Sequence, residues 1–423
     1  MRLLDLIKQN KEVTYYKINK VVKESFQLFF VHDDLETIRN SKTEDLKATI
    51  YVLHDNYLGD STFTIYASND DKEIEDKINQ AVEKAKLINN EVYTLPEKEV
   101  TNYPIESNFK DYSLEELAKL TQEAVFKAKE LVKGDINALE IFVTKSTVSV
   151  LNSNGLSKEE VRYDCMIEAI PTWNGEKESV ELYCQHHFNE FNSEKITAVI
   201  KDYLERVCAR YNAVKLDNIG NVNVLLRPEE ISGITDELIW DLTYASVYTK
   251  SNKQAIGNNL QKNAKGTLLT IEQKGKIKGS VYSRSFDNDG VSLKDKVLIE
   301  DGIVKGYFGT NQHAKYLGMD NTGELLCTSL KPGNMSIAEM KKEPYLEIVS
   351  MSGIQVNQFN DYIGGEIRLA YYFDGNKVTP VTSLSISGSL EDALNNIYLS
   401  KEVTQEGSYF GPQLALIKNL QIH

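Results

Sequence analysis

The chain has 423 residues, of which 41% are hydrophobic and 26% are charged, and its formal net charge at pH 7 is −14. Its lysines and arginines form no concentrated patch, so the composition argues against direct nucleic-acid binding, which requires many neutralised phosphates. No stretch reaches the length of a transmembrane helix, and residues 1–13 lack the apolar core and cleavage site of a signal peptide, so we expect a cytoplasmic protein without membrane contact.

The first third of the chain predicts strands followed by a helix. Alternating and β-branched residues indicate strands at residues 23–32, 47–54 and 61–68. An apolar stripe at helical spacing then occupies residues 74–88, and Asp70 with Glu73 provides a capping-box signature at its start. Between residues 90 and 112 the periodicity gives way to a polar connection with two prolines. We therefore predict an N-terminal α+β domain over residues 1–105.

The next segment repeats the combination of helix and strands. Ser113 with Glu116 forms a second capping-box signature, and an apolar stripe continues that helix. Strand composition dominates residues 139–187, and a further helical stripe covers residues 196–211. These features predict a middle α+β domain over residues 106–217.

Two of the chain's four cysteines, both in the predicted middle domain, form a candidate pair. Two strand-like segments flank Asn174-Gly175, a two-residue hairpin signal, and counting outward evenly from that turn places Cys165 opposite Cys184. In a reducing cytoplasm we expect two buried, reduced thiols, with a disulfide or a metal clip as the alternatives.

The remaining residues, 218–423, predict the largest domain. A strand over residues 222–226 leads into a helix that begins near Pro228, and strands and turns dominate from there to the end. The chain as a whole is predicted to be α+β, with N-terminal strand-and-helix modules followed by a large β-rich C-terminal domain.

Several stretches follow one another in a characteristic order along the chain. In the N-terminal half they are residues 23–68, 71–88 and 150–170. In the C-terminal half they are residues 223–251 and 284–324, KPGNMSIAEM (331–340) and VTPVTSLSISGSLEDALNNI (378–397). Together these stretches resemble the TldD/PmbA (TldE) family, historically labelled modulators of DNA gyrase, and the last three are similar to its PmbA-type branch in particular.

The resemblance implies a zinc peptidase built from two homologous subunits. The TldD-type subunit holds zinc through an HExxxH helix and a later cysteine, whereas the PmbA-type subunit lacks these ligands. In DELIWD, Asp236-Glu237 and Asp241 stand where the family motif has His-Glu and the second His. Without imidazoles this helix is unsuited to zinc. We therefore predict no catalytic residue and no metal in this chain, and expect the zinc in a partner subunit.

Two short segments within these stretches look like PmbA-type motifs and supply candidates for peptide recognition or subunit contact. They are ASVYTKS, with Tyr248, Lys250 and Ser251, and RSFDNDG, with Ser285, Phe286, Asp287 and Gly290. Turn geometry alone also accounts for the Asp-Asn-Asp-Gly run.

Three hypotheses about function follow from the resemblance. In the first, the chain is the noncatalytic PmbA/TldE-like half of a heterodimer with a TldD-like paralogue, acting on unfolded peptides. In the second, it is a stand-alone homodimer that binds or scaffolds peptides without hydrolysis. In the third, Glu237 supports residual hydrolysis with a nonstandard metal.

Overall fold

The first half of the chain is built from long, mostly antiparallel strands that bury one face. The computed structural model describes residues 2–216 and 219–423. The strands of this half are β1 (Tyr15–Val31), β2 (Asp34–His54), β3 (Tyr57–Ile65), β4 (Val100–Asn102), β5 (Asp135–Asn152), β6 (Ser157–Asn174), β7 (Ser179–Glu181) and β8 (Cys184–Phe188). In the described residues they form one eight-stranded sheet with the order β3-β2-β1-β5-β6-β4, and β7 and β8 also pair with β6.

This sheet runs across the boundary predicted at residue 105. β1 pairs residue by residue with β5, beginning with Lys17 opposite Asn152. Strands from residues 1–105 and 106–217 therefore share one sheet, and the division between two domains at this point stays a prediction. The second predicted boundary, at residues 217 and 218, lies outside the described residues.

Helices cover the face of this sheet to which Ile18, Phe26 and Leu28 of β1 point. The helices are α1 (Arg2–Gln9), α2 (Asp71–Ala85), α3 (Leu114–Leu131) and α4 (Ser193–Tyr211). Ile18 lies in the core that α2 completes, whereas Phe26 and Leu28 lie in the core that α3 and α4 complete. The two helical layers thus pack side by side on one sheet.

The capping boxes predicted at the starts of α2 and α3 are confirmed. Asp70 Oδ1 accepts from the N–H of Glu73 at 2.8 Å, and the N–H of Asp70 donates to the Glu73 carboxylate at 3.0 Å. Ser113 and Glu116 form the same reciprocal pair at the start of α3. Each pair satisfies two of the backbone donors that a helix start leaves free.

The hairpin register predicted for the cysteines is wrong. Cys165 lies opposite Phe188, and Cys184 lies opposite Ala169. In the turn, the N–H of Gly175 donates to the carbonyl of Glu178, so the loop is longer than two residues. The longer loop shifts the pairing of the two strands away from the predicted register. Both thiols are buried and free. Burial raises the pKa of each thiol well above its ordinary value.

Two further sheets build the second half of the described chain. The nine-stranded sheet contains β9 (Val214–Lys215), β10 (Gly220–Leu226), β15 (Tyr345–Met351), β16 (Gln355–Asn357), β17 (Tyr362–Phe373), β18 (Val378–Thr382), β19 (Leu384–Gly388), β20 (Ile397–Leu399) and β23 (Ala415–Ile422). The six-stranded sheet contains β11 (Ile271–Lys274), β12 (Lys296–Glu300), β13 (Ile303–Val304), β14 (Cys327–Leu330), β21 (Val403–Glu406) and β22 (Tyr409–Pro412).

The nine-stranded sheet closes on itself around part of the largest hydrophobic core. Pairing runs from β15 through β10, β23, β19 and β17, and β17 pairs again with β15. β16 pairs with β17 at Gln355 to Asn357, and in the described structure it has no second strand neighbour. One edge of β16 is therefore unpaired. The predicted α+β class and the β-rich C-terminal domain are confirmed.

Short helices connect the strands of this half. They are α5 (Pro228–Asp241), α6 (Tyr244–Tyr248), α7 (Asn311–Leu317), α8 (Ile337–Met340) and α9 (Leu390–Asn395). Among residues 2–216 and 219–423, no helix has both the length and the apolar composition that a membrane crossing needs.

Candidate functional site

The helix that carries the altered zinc motif, α5, is fixed by its apolar face. Pro228 occupies the first helical turn, where its restricted φ favours the helix and its missing N–H costs nothing. Ile231, Ile234 and Leu238 follow at helical spacing and are buried in the largest core. The opposite side of α5 is thereby turned toward a cleft.

This cleft, here called the α5–β16 cleft, has a volume of about 860 Å³. Gly233 allows the two walls to approach closely, because a Cβ there would lie 2.3 Å from Ile354 Cγ2. The lining residues come from α5 and from the segment around β16, and they are Gly233, Asp236, Glu237, Trp240, Ile354, Gln355, Val356, Asn357, Asn360 and Tyr362.

Asp236 and Glu237 supply the charge of the cleft. In the described part of the chain, neither carboxylate has an ion pair or a side-chain hydrogen bond. Partial burial raises the pKa of Asp236, although its side chain keeps contact with solvent. Trp240 lies one helical turn beyond Asp236 and leaves 70% of its surface exposed.

Asp241 has a different position and a structural role. Its side chain is 5% exposed. Oδ1 accepts from the N–H of Lys253 at 2.6 Å, and Oδ2 accepts from the N–H of Gln254 at 2.8 Å. The carboxylate thus holds the loop that follows α6, and it does not line the cleft.

The loop held by Asp241 in turn holds the far wall of the cleft. Gln254 Nε2 donates to Gln358 Oε1 at 3.3 Å, and Lys253 Nζ donates to the carbonyl of Gln358. Gln358 Nε2 donates to the carbonyl of Glu237 at 3.0 Å, which returns the chain of hydrogen bonds to α5. This closed network fixes the separation of the two walls.

The residues of this helix do not fit the family's zinc site. α5 contains no histidine, and both oxygens of Asp241 are occupied by backbone donors. Across residues 2–216 and 219–423, no group of three or more His, Cys, Asp or Glu side chains is arranged to hold a metal. Zinc sites in proteins use about four ligands, mainly imidazole and thiolate, so the donor set here is incomplete.

We expect Asp241→Asn to open the loop after α6. An asparagine side chain offers one oxygen, so one of the two N–H groups at Lys253 and Gln254 loses its acceptor, at a cost of about 2 kcal/mol. Amide hydrogen exchange measures this locally, and exchange at one of the two positions should rise about 30-fold.

Asp236→Asn is the matched control for Asp241→Asn, because it removes an exposed carboxylate from the same helix. It should leave both amides unchanged. Equal exchange in the two variants would show that Asp241 does not hold the loop.

Tyr248 lies in an aromatic cluster between the two halves of the chain. Its ring centroid is 5.0 Å from that of Tyr316 and 5.6 Å from that of His313. Its hydroxyl donates to Glu91 Oε1 at 2.7 Å. These contacts tie α6 and α7 to the segment that precedes β4.

Lys250 and Ser251 lie just beyond the C-terminal end of α6. Lys250 adopts a left-handed backbone, with φ of 58°, and its side chain is exposed. The N–H of Ser251 donates to the carbonyl of Ser246 at 2.9 Å. This geometry closes the helix end, and a role for either residue in peptide recognition stays a prediction.

The RSFDNDG loop, residues 284–290, packs against the first sheet. The N–H of Ser285 donates to Glu160 Oε2 at 2.9 Å. Phe286 is buried against Tyr103, with ring centroids 5.7 Å apart. These two predicted residues therefore serve contact between the halves of one chain.

Asp287 organises this loop. Oδ1 accepts from the N–H groups of Asp289 and Val291 at 2.9 and 3.0 Å, and Oδ2 accepts from that of Glu324 at 3.1 Å. Burial of Asp287, and next the Asp289 carboxylate, raise its pKa to about 6. Gly290 has a φ of 82°, and a Cβ there would meet a leucine of the N-terminal half at 2.6 Å. A recognition role for these residues stays a prediction.

Residues 219–423 match the family model of the PmbA/TldA metallopeptidase C-terminal domain. The C-terminal half of the chain is thus a metallopeptidase C-terminal domain of the PmbA/TldA type. It is 26% identical over 203 residues to the metalloprotease PmbA of Escherichia coli O157:H7, a match that covers 46% of this chain and 44% of that protein. It is 21% identical over 276 residues to an uncharacterized protein of Methanocaldococcus jannaschii, covering 63% of this chain and 64% of that protein.

The crystal structure of TldE from Thermococcus kodakarensis has the same fold, with a TM-score of 0.79 at 17% identity over 100% of both chains. The matched segments span less than two thirds of both sequence relatives.

The sequence correctly predicted a helix that carries Asp236 and Glu237, but it did not indicate the rest of the cleft. The exposed Trp240 carried a usable signal, because it lies at i+4 from Asp236 on the polar side of the helix. The wall at residues 354–362 carried no local signal. None of the residues predicted in ASVYTKS and RSFDNDG lines this cleft.

Proposed function

We propose that the protein is a PmbA/TldE-like, noncatalytic subunit of a heterodimeric zinc metallopeptidase that acts on unfolded peptides. A TldD-like paralogue supplies the zinc and the catalytic groups. One observation carries this proposal: Asp241, at the position of the second zinc ligand, directs both carboxylate oxygens to backbone N–H groups of its own chain. A cytoplasmic location, expected from the sequence, belongs to the same proposal.

The chemistry of zinc peptidases supports a noncatalytic role. The metal lowers the pKa of its bound water, and a neighbouring glutamate accepts the proton. Glu237 lies at the position of that glutamate, but α5 offers no imidazole beside it. Glu237 therefore has no activated water to deprotonate, which argues against residual hydrolysis by this chain.

The unpaired edge of β16 supports a role in peptide binding. β16 lies in the wall of the α5–β16 cleft, and its free backbone groups can pair with an extended segment. Strand addition of this kind binds main chain and therefore suits unfolded peptides of varied sequence. A stand-alone homodimeric peptide-binding or scaffold protein, the second candidate, would use the same unpaired edge without a catalytic partner.

The deciding experiment measures zinc content and peptide cleavage for the purified chain alone and after mixing with its TldD-like paralogue. We expect stoichiometric zinc and cleavage of an unfolded peptide only in the mixture. For an unfolded peptide without lysine or arginine, Glu237→Gln in this chain should leave that activity intact, whereas the same change in the HExxxH motif of the paralogue should abolish it. Zinc and cleavage in the lone chain would refute the proposal.

Failure of the two proteins to associate would favour the stand-alone homodimer. The mass of the purified chain in solution, measured with and without the paralogue, separates these two candidates. Association without any change in zinc content or cleavage would exclude the heterodimeric peptidase.

A further inference from the structure

We propose that the α5–β16 cleft selects a cationic side chain, lysine or arginine, in an extended peptide. This inference rests on the peptide-binding part of the proposed function and names the class of residue that the site prefers.

The charge of the cleft favours a cation. Asp236 and Glu237 are its charged residues, and the other described residues that line it are uncharged. Neither carboxylate has an ionic partner elsewhere in the described chain, so their two negative charges are uncompensated. A cationic side chain in the cleft would be attracted by both of these negative charges.

Trp240 adds a second, independent preference for a cation. A tryptophan face attracts ammonium and guanidinium groups within about 6 Å of its centroid. Trp240 is 70% exposed although it is the largest side chain of α5, and it lies one turn from Asp236. The combination of two carboxylates and an open indole is suited to an organic cation.

The rest of the cleft suits the aliphatic stem and backbone of such a residue. Ile354 and Val356 line the wall opposite α5 and offer apolar surface for a lysine or arginine stem. The cleft volume of about 860 Å³ exceeds one side chain and accommodates several residues of an extended peptide. The unpaired edge of β16 runs along the same wall and orients the peptide backbone.

A metal ion is the less suitable occupant. Asp236 and Glu237 are adjacent on the helix, so their side chains diverge by about 100° around its axis. No third ligand stands near them in the part of the chain that the structure describes. Magnesium and calcium require about six oxygen ligands, which this wall does not provide.

The test uses the fluorescence of Trp240. The chain has two tryptophans, so Trp173→Phe leaves Trp240 as the only reporter. Two unfolded decapeptides are titrated in the presence of EDTA, one with a central lysine and one with norleucine in its place. We expect the lysine peptide to bind at least about tenfold more tightly, and its advantage to shrink as salt is added.

Paired substitutions assign the preference to the cleft. Asp236→Asn with Glu237→Gln should abolish the advantage of lysine over norleucine. Glu75→Gln with Asp76→Asn is the matched control, because it changes the net charge equally at two adjacent exposed positions of α2. This control pair should keep the advantage.

Three outcomes would overturn the inference: equal affinity for the two peptides, no binding of either peptide, or a lysine advantage that survives in the Asp236/Glu237 variant. None of them affects zinc content or cleavage in the mixture with the paralogue. The proposed subunit role can therefore stand or fall separately.

Discussion

Replacing Asp287 with alanine is expected to destabilise the described C-terminal domain by about 4 kcal/mol, the largest effect predicted here. The side chain is 3% exposed and accepts three backbone hydrogen bonds, from Asp289, Val291 and Glu324. Alanine leaves all three buried donors without an acceptor, and each costs about 1–3 kcal/mol before the loop relaxes.

Amide hydrogen exchange and thermal unfolding together measure this effect. Exchange at the three N–H groups should rise more than about a hundredfold, and the unfolding midpoint should fall. Asp287→Asn should have an intermediate effect, because one side-chain oxygen remains. Asp320→Ala, which removes an exposed carboxylate of the same domain, is the control and should change neither measurement. Unchanged exchange in Asp287→Ala would show that the carboxylate does not organise the loop.

The same loop illustrates the limits of a sequence-based prediction of function. RSFDNDG was predicted from its turn-forming residues and family resemblance, and the turn is present. What the sequence did not indicate is the surface that the turn meets, because Phe286 packs against Tyr103, which is far away in the chain. A side chain buried between two parts of one chain and one that binds a peptide have the same local signature.

The sequence predicts most accurately those structural features that depend on residues within one helical turn of each other. The capping boxes at Asp70 and Ser113 and the helix start at Pro228 depend on residues within four positions of each other. The pairing of Cys165 depends on the length of a distant turn, and a different loop length moved every partner along the strand. Continuity of the first sheet depends on contacts between β1 and β5, which no local pattern encodes.

The candidate site likewise combines features that depend on neighbouring residues with features that depend on distant ones. The helix and two of its acidic residues were predictable because DELIWD has helical periodicity and resembles the family motif. The orientation of the Asp241 side chain was not predictable. It depends on the backbone N–H groups of Lys253 and Gln254, which the carboxylate accepts from. The second wall of the cleft follows more than a hundred residues later and meets α5 only after the sheet has closed.

Glu230 is expected to make the protein less stable as pH rises from about 4.5 to about 7. The side chain is 3% exposed, and its Oε2 has no hydrogen-bond partner in the described structure. Burial, and next the neighbouring Glu229, raise the pKa of Glu230 from 4.5 to about 7. The folded state therefore holds this proton more tightly than the unfolded state, and deprotonation opposes folding.

The displacement of this pKa corresponds to about 3 kcal/mol of stability that is present below pH 4.5 and lost by about pH 8. Glu230→Gln keeps the shape of the side chain and removes its charge, so the variant should equal the original chain at about pH 4.5 and exceed it by up to about 3 kcal/mol at about pH 8. Urea unfolding at both pH values measures the difference. Glu229→Gln, at the adjacent exposed position, removes only the smaller cause of the shift and should give at most a minor part of this gain. A Glu230→Gln variant that is no more stable than the original chain at the higher pH would show that burial does not disfavour this carboxylate.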